Sequence, residues 1–274
     1  MRISAVFSTY NEPTWLEKAI WGYSVQDYDE FDLVIADDGS RDDTRQTIHR
    51  LRNETGLEIR HVWHEDAGFQ KCRILNKATV EAPSEYLVFS DGDCIPRRDF
   101  LSTHARLARP GRFLSGGTFR LSHAVSQAVT KQDILSGRVF DPSWLRSMGQ
   151  PWNRRFLKLA AGPPWFNVLD RLTTTNASWN GHNASGFKSD ILAVNGFNED
   201  MGWGGEDREL GDRLRNAGLR PLQVRNRAIC VHLEHERGYV DAEVYKRNQA
   251  VRRDTRRNRR TWTEHGITPG PPAG

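Results

Sequence analysis

Residues 86–96 read YLVFSDGDCIP, and the fold turns on how this stretch is understood. Tyr86 to Phe89 form a short apolar run with strand character, and Pro96 bounds the segment soon after. Asp91 and Asp93 therefore fall where a strand stops, with only Gly92 between them. Two carboxylates that close repel each other unless a cation sits between them or solvent screens them. Asp-Gly is also a common turn dipeptide, so an exposed acidic turn is the simpler alternative. The stretch alone does not separate the two.

Outward from it, the first hundred residues alternate in type. RISAVFS (2–8), FDLVIAD (31–37), LEIRHVWH (57–64) and EYLVFSD (85–91) predict strands. Between them, EPTWLEKAIWGYSVQ (12–26), RDDTRQTIHRLRNE (41–54) and GFQKCRILNKATVEA (68–82) predict helices; the first carries Trp15, Leu16, Ala19, Ile20 and Tyr23 at helical spacing. Strands alternating with helices predict an α/β class chain with a mostly parallel sheet flanked by helices. Such sheets bind ligands beyond the carboxyl ends of their strands. Those ends carry STYNE (8–12), DDGSRDD (37–43), HEDAGF (64–69) and DGD (91–93), so polar and acidic residues collect at one edge.

Later segments are less regular. LSGGTFRLS (114–122) predicts a strand and AVTKQDILSGRV (128–139) a helix. Residues 142–172 mix aromatic, basic and proline residues. They suit a loop over a groove, an amphipathic segment on a membrane surface, or a packed loop with aromatic anchors. EDRELGDRLRNAG (206–218) predicts a helix with Leu210 and Leu214 inward and a stop at Gly218, and LQVRNRAICVHL (222–233) a last strand ending at His232.

Composition narrows the class. The 274 residues are 37% hydrophobic and 27% charged, enough to bury a core. No apolar run approaches the roughly 18 residues of a membrane span. MRISAVFSTYNE reads as an opening strand rather than a signal peptide. Three separated cysteines (Cys72, Cys94, Cys230) suit a reducing cytoplasm better than a disulfide framework or zinc cluster. The net charge of +4 hides a basic run, KRNQAVRRDTRRNRRTW (246–262). Such a run fits a solvated helix or frayed tail, an anionic lipid surface, or nucleic acid. The final TPGPPAG reads as disordered.

Six pieces in order then carry a resemblance: FSTYNEPTWLEKAIWGYSVQ, ADDGSRDDT, GFQKCRILNKA, FSDGDCIPRRDFL, GHNASGFKSDILAVNGFNEDMGWGGEDRELGDRL and HLEH. The chain resembles family-2 glycosyltransferases of GT-A fold with a galactosyltransferase-like C-terminal half, the type that adds sugars to bacterial lipopolysaccharide or capsule. The resemblance implies a single GT-A domain over 1–240, with a nucleotide-binding half (1–110) and an acceptor-binding half (111–240). A basic, partly disordered extension (241–274) follows. It implies a UDP-sugar donor, a glycan or lipid-linked glycan acceptor, and a divalent metal, Mn²⁺ or Mg²⁺, on the diphosphate. By resemblance Asp93 and His232 hold the metal, with His235 the less favoured histidine, and Asp91 lies toward the ribose or reaches the ion indirectly. Ser8, Tyr10, Glu12 and Asp38 contact base and ribose, Lys71 and Arg73 face the diphosphate, and Trp203 stacks on a sugar. Gln70 departs from the arginine that many relatives carry. Asp207 is the implied base and Glu206 the implied acceptor contact, both at a helix N-terminus whose dipole favours the ionised form. Inversion at the anomeric carbon and a cytoplasmic enzyme, docked peripherally at the inner membrane face, complete the expectation. A nucleic-acid-binding protein would leave DGD and WGGED without a role, and a nucleotidyltransferase would need a glycine-rich loop that FSTYNEP does not supply. Intact DGD, ED and His232 argue against an inactive homologue.

Overall fold

The computed structural model describes residues 1–160, 168, 170, 172, 176–235 and 241–268. The predicted βα alternation is realised as β1 (Ile3–Thr9), α1 (Pro13–Tyr23), β2 (Phe31–Asp37), α2 (Asp42–Thr55), β3 (Ile59–Trp63), α3 (Lys71–Glu81) and β4 (Tyr86–Asp91). Strands β1 to β4 run parallel, in the order β3-β2-β1-β4. Side chains alternate across the pleat, so the apolar runs feed two cores. Phe7, Ile35 and Val88 pack with α1 and α2 on one face; Val6, Val34 and Phe89 pack with α3 on the other.

The same sheet continues through β8 (Ala184–Phe187), β6 (Arg112–Ser115) and β9 (Arg220–Gln223), giving seven strands in the order β3-β2-β1-β4-β8-β6-β9. A second sheet of three strands, β5-β10-β7, is built from Cys94–Pro96, Ile229–His232 and Gly117–Arg120. Two expected strands are therefore each divided. LSGGTFRLS splits at Gly116 into β6 and β7, and LQVRNRAICVHL turns through Val224–Ala228 between β9 and β10. The division has a steric cause: a Cβ on Gly116 would lie 1.9 Å from the Asn183 Oδ1 atom. Fully buried Asn183 donates to the carbonyls of Gly117 and Ala228, both at 2.9 Å, and pins the two chain breaks together.

The expected helix at 128–139 is interrupted: Lys131–Leu135 is α-helical, and a 3₁₀ turn follows at Arg138–Phe140 after Gly137 in the left-handed region. Of the mixed stretch 142–172, positions 161–167, 169 and 171 lie outside the described residues, as does TPGPPAG from 269 onward. The basic run falls as far as Arg257 in a helix, Ala242–Arg257, that packs along the helix Glu206–Asn216. Arg252 and Arg256 each place Nε 2.8 Å from the Asp212 carboxylate, while Lys246, Arg253 and Arg257 are exposed. No described helix is long and apolar enough to cross a membrane.

Candidate active site

The carboxyl ends of β1, β2 and β4 open into a cleft of about 660 Å³, closed from the far side by the start of the Glu206–Asn216 helix and by the end of β10. Every residue singled out from the sequence lines it except Arg73. Arg73 is exposed on α3; two residues along a helix is a rotation of about 200°, so it faces away from Lys71. Lys71 alone of that pair points into the cleft.

Parallel pairing of β1 with β4 places Ser8 beside Asp91. The Gly92 N–H donates to the Ser8 carbonyl at 2.9 Å, and a Cβ on Gly92 would lie 2.8 Å from the same oxygen. Only glycine lets the chain pass this close, which is why one separates the two carboxylates. Beyond it the backbone enters β5, and its pairing with β10 brings His232 alongside Cys94. Asp93 Oδ2 then lies 2.8 Å from His235 Nε2 and 3.4 Å from His232 Nε2. Burial works against the Asp93 anion, but the two imidazoles hold its pKa below the ordinary carboxylate range. His235, the less favoured histidine on sequence, is the nearer of the two.

This corner suits a divalent cation. An Asp93 oxygen and a His232 nitrogen lie within 4.8 Å of each other, and His235 Nε2 is 2.8 Å from Asp93 Oδ2. Carboxylate and imidazole make a mixed O/N donor set of the kind that accepts transition ions such as Mn²⁺, whereas Mg²⁺ prefers all-oxygen shells. Cys94 completes the close group with Asp93 and His232, and His235 lies outside it. Burial pushes its thiol well above the usual value, and it donates to Asp93 Oδ1 at 3.4 Å; a protonated thiol is a poor ligand.

Asp91 meets a different partner. Its Oδ1 accepts from Lys71 Nζ at 2.7 Å. Burial opposes the Lys71 charge, but Asp91, Asp207 and Glu206 together hold its pKa well above the ordinary lysine value. A fixed ammonium thus stands between Asp91 and the carboxylates of WGGED.

Asp207 departs from expectation. Burial, reinforced by the neighbouring Glu206, pushes its carboxyl up to about 7, against Lys71 and an N–H from Gly181. The helix N-terminus does not keep this acid strongly ionised. A Cβ on Gly181 would lie 2.7 Å from Asp207 Oδ1, so the glycine makes room for the carboxylate, and that oxygen has no hydrogen-bond partner among the described residues. Glu206 turns back instead to accept from the Gly204 N–H at 2.8 Å. The glycine loop is held from behind: Asn248 Nδ2 donates to the carbonyls of Gly202 (2.8 Å) and Trp203 (3.2 Å), and Tyr245 lies against the Trp203 ring with centroids 6.2 Å apart.

At the opposite wall, Asp38 is almost fully buried below Tyr10, whose hydroxyl donates to Asp66 at 2.9 Å. Glu12 stands exposed at the rim. The structure adds residues that the sequence did not single out. His182, on the turn before β8, lies beside Asp91 and is pushed down to about 4 by burial, hence neutral. Arg120 closes the cleft at the end of β7 and Trp15 at the start of α1. His182 stood inside a quoted family piece, GHNASGF; Arg120 had no signal without the strand break that ends β6.

Comparison with known proteins bears on the family and the fold. The model for glycosyl transferase family 2 matches residues 4–158, and that for the N-terminal domain of galactosyltransferase matches 175–236. Validoxylamine A glucosyltransferase of Streptomyces hygroscopicus subsp. jinggangensis is 28% identical over 254 residues, covering 86% of this chain and 56% of its own length. The chain thus spans a little over half of that relative. Poly(ribitol-phosphate) beta-N-acetylglucosaminyltransferase TarS of Staphylococcus aureus is 30% identical over 95 residues, 34% of this chain and 16% of its own. Among solved structures, the Pyrobaculum calidifontis mannosyltransferase PcManGT, in complex with GDP-Man and Mn²⁺, superposes with a TM-score of 0.59 at 22% identity, covering 87% of this chain and 58% of that one. TarS 1–349 in complex with UDP-GlcNAc gives 0.59 at 15%, over 92% and 65%. The architecture is the GT-A fold. With more than half its length matched by one family model, the chain belongs to glycosyl transferase family 2.

Proposed function

We propose that this glycosyltransferase moves a sugar from a UDP-sugar to a glycan hydroxyl with inversion, using Asp207 as base. The observation that carries the reading is the half-buried Asp207 carboxyl, pushed up to about 7 and with one buried oxygen that has no hydrogen-bond partner among the described residues at the cleft wall. A base of that pKa can take a proton at physiological pH and release it afterwards. The acceptor hydroxyl gives its proton to Asp207 as its oxygen bonds to the anomeric carbon. The bond from that carbon to the diphosphate breaks, and its electron pair leaves on the phosphate oxygen. Lys71 supplies a fixed positive charge between Asp91 and Asp207, where the leaving diphosphate gains negative charge. A divalent ion, with Mn²⁺ preferred on the donor set, would be held by Asp93, His232 and His235 and would supply further neutralisation of the diphosphate. Ser8, Tyr10, Glu12 and Asp38 form the nucleoside side, Asp91 the ribose edge, and Trp203 with Glu206 the sugar and acceptor side.

Thermal-shift titration with UDP, GDP and CMP, each with Mn²⁺, Mg²⁺ or EDTA, tests this reading. UDP with Mn²⁺ is expected to raise Tm, since a ligand bound only by the native state stabilises it by mass action. Stabilisation by GDP alone would replace the donor, and no response to any nucleotide would remove the reading.

For the acceptor we propose a lipid-linked glycan of a bacterial surface polysaccharide, lipopolysaccharide core or capsule, met at the cytoplasmic membrane face. Exposed Lys246, Arg253 and Arg257, together with exposed Trp152 and Leu157, support it. Flotation with vesicles containing anionic lipid is expected to carry the protein upward, and less so in high salt; equal recovery with and without vesicles would exclude this docking.

A further inference from the structure

Asp38 presents an unusual degree of fixation for a carboxylate at a cleft wall. Its residue is 5% exposed, its Oδ1 lies 2.7 Å from His64 Nε2, and its Oδ2 accepts from the Gln70 N–H at 2.9 Å. His64 is itself 8% exposed, and its other nitrogen, Nδ1, lies 3.5 Å from Lys77 Nζ on the next turns of α3. An ammonium is donor only. Beside it, Nδ1 is the accepting nitrogen, so Nε2 carries the proton and points it at Asp38. A chain of Lys77, His64 and Asp38 thereby fixes both the tautomer of the imidazole and the rotation of the carboxylate.

The fixation has a chemical consequence. An ionised carboxylate offers about four acceptor positions; two are taken, and those that remain can accept but not donate. We infer that His64 is a positioning residue that holds Asp38 as a pure acceptor, so that the cleft selects nucleobases with a ring N–H and rejects cytosine. Uracil and guanine both carry a ring N–H on the edge that faces such an acceptor. Cytosine places a bare ring nitrogen there, and two lone pairs would face each other. This rests on the reading of Asp38 as part of the nucleoside wall, and adds to it the residue that sets its selectivity.

Glutamine and asparagine at position 64 separate orientation from bulk. A glutamine side chain can put an amide N–H near the place of Nε2; asparagine is too short and reaches only the place of Nδ1. The measurement is the affinity for UDP and for CDP, each with Mn²⁺, by calorimetry, alongside Tm without ligand. Wild type is expected to favour UDP over CDP by about tenfold or more, the size of one well-made hydrogen bond to a charged group against an unpaired one. His64→Gln is expected to keep that ratio, and His64→Asn and His64→Leu to bring it toward one. Lys77→Met, which leaves Asp38 and His64 in place, is expected to lower the ratio in part, and covers the case of a leucine variant that does not fold. Equal ratios in the glutamine, asparagine and methionine variants would overturn the inference even with UDP binding intact. Absence of binding of either nucleotide to the wild-type protein would instead remove the underlying functional reading.

Discussion

Asp207→Asn is expected to lower the transfer rate by about 10²–10⁴-fold, the usual worth of a positioned general base, while UDP and Mn²⁺ still raise Tm as in wild type. The amide keeps the shape of the carboxylate in the space that Gly181 leaves open, so the nucleotide side is undisturbed. The wild-type rate should follow the deprotonated form. With the carboxyl pushed up to about 7, transfer rises with pH through neutrality and falls about tenfold per unit on the acid side. Stability moves the other way. Between the ordinary aspartate range near 4 and about 7, the native state holds a proton that the unfolded chain gives up, so this group weighs increasingly against the fold as pH rises through that window. Asp207→Asn should therefore raise Tm of the free protein at pH 8 and change it little at pH 4. An asparagine variant that transfers sugar at the wild-type rate would take the base assignment away from Asp207.

Asp93→Ala carries the second large effect. The carboxylate is the anionic member of the corner, and without it only the imidazoles of His232 and His235 are left to offer an ion. Metal affinity is expected to fall by at least about 100-fold, above the 10–100-fold typical of residues that merely support a ligand. In the thermal-shift assay, UDP with Mn²⁺ should then stabilise no better than UDP with EDTA. Since His235 lies nearer Asp93 than His232 does, His235→Ala should weaken Mn²⁺ binding at least as much as His232→Ala. Undiminished metal dependence in Asp93→Ala would place the ion elsewhere.

The first half of the chain was legible because parallel strands buried on both faces write themselves as unbroken apolar runs, and because polar residues gather at their ends. Asp38, Asp91 and Asp93 stand where that rule puts them. The other half was less so. β5 has three residues and β8 reads ASGF, with no apolar run to announce either. The break at Gly116 depends on the buried Asn183 side chain, 67 residues away in sequence, and no local pattern reports such a contact. Arg73 was misplaced by reading a basic helix without its rotation. The near-neutral Asp207 comes from burial, which composition cannot show, and it outweighs the helix dipole that the sequence did suggest.

The Asn183 junction bears on how the molecule melts. Its amide joins the starts of β7 and β10, its Oδ1 lies 3.1 Å from His104 Nε2 on the helix Phe100–Leu107, and β8 beside it pairs with β4 of the parallel strands. The Asn183 side chain therefore ties the strand that carries His232 to the neighbour of β4 in the large sheet. Unfolding is therefore expected to be cooperative across both sheets, and a ligand seated at one wall to protect amides at the other, which native-state hydrogen exchange checks.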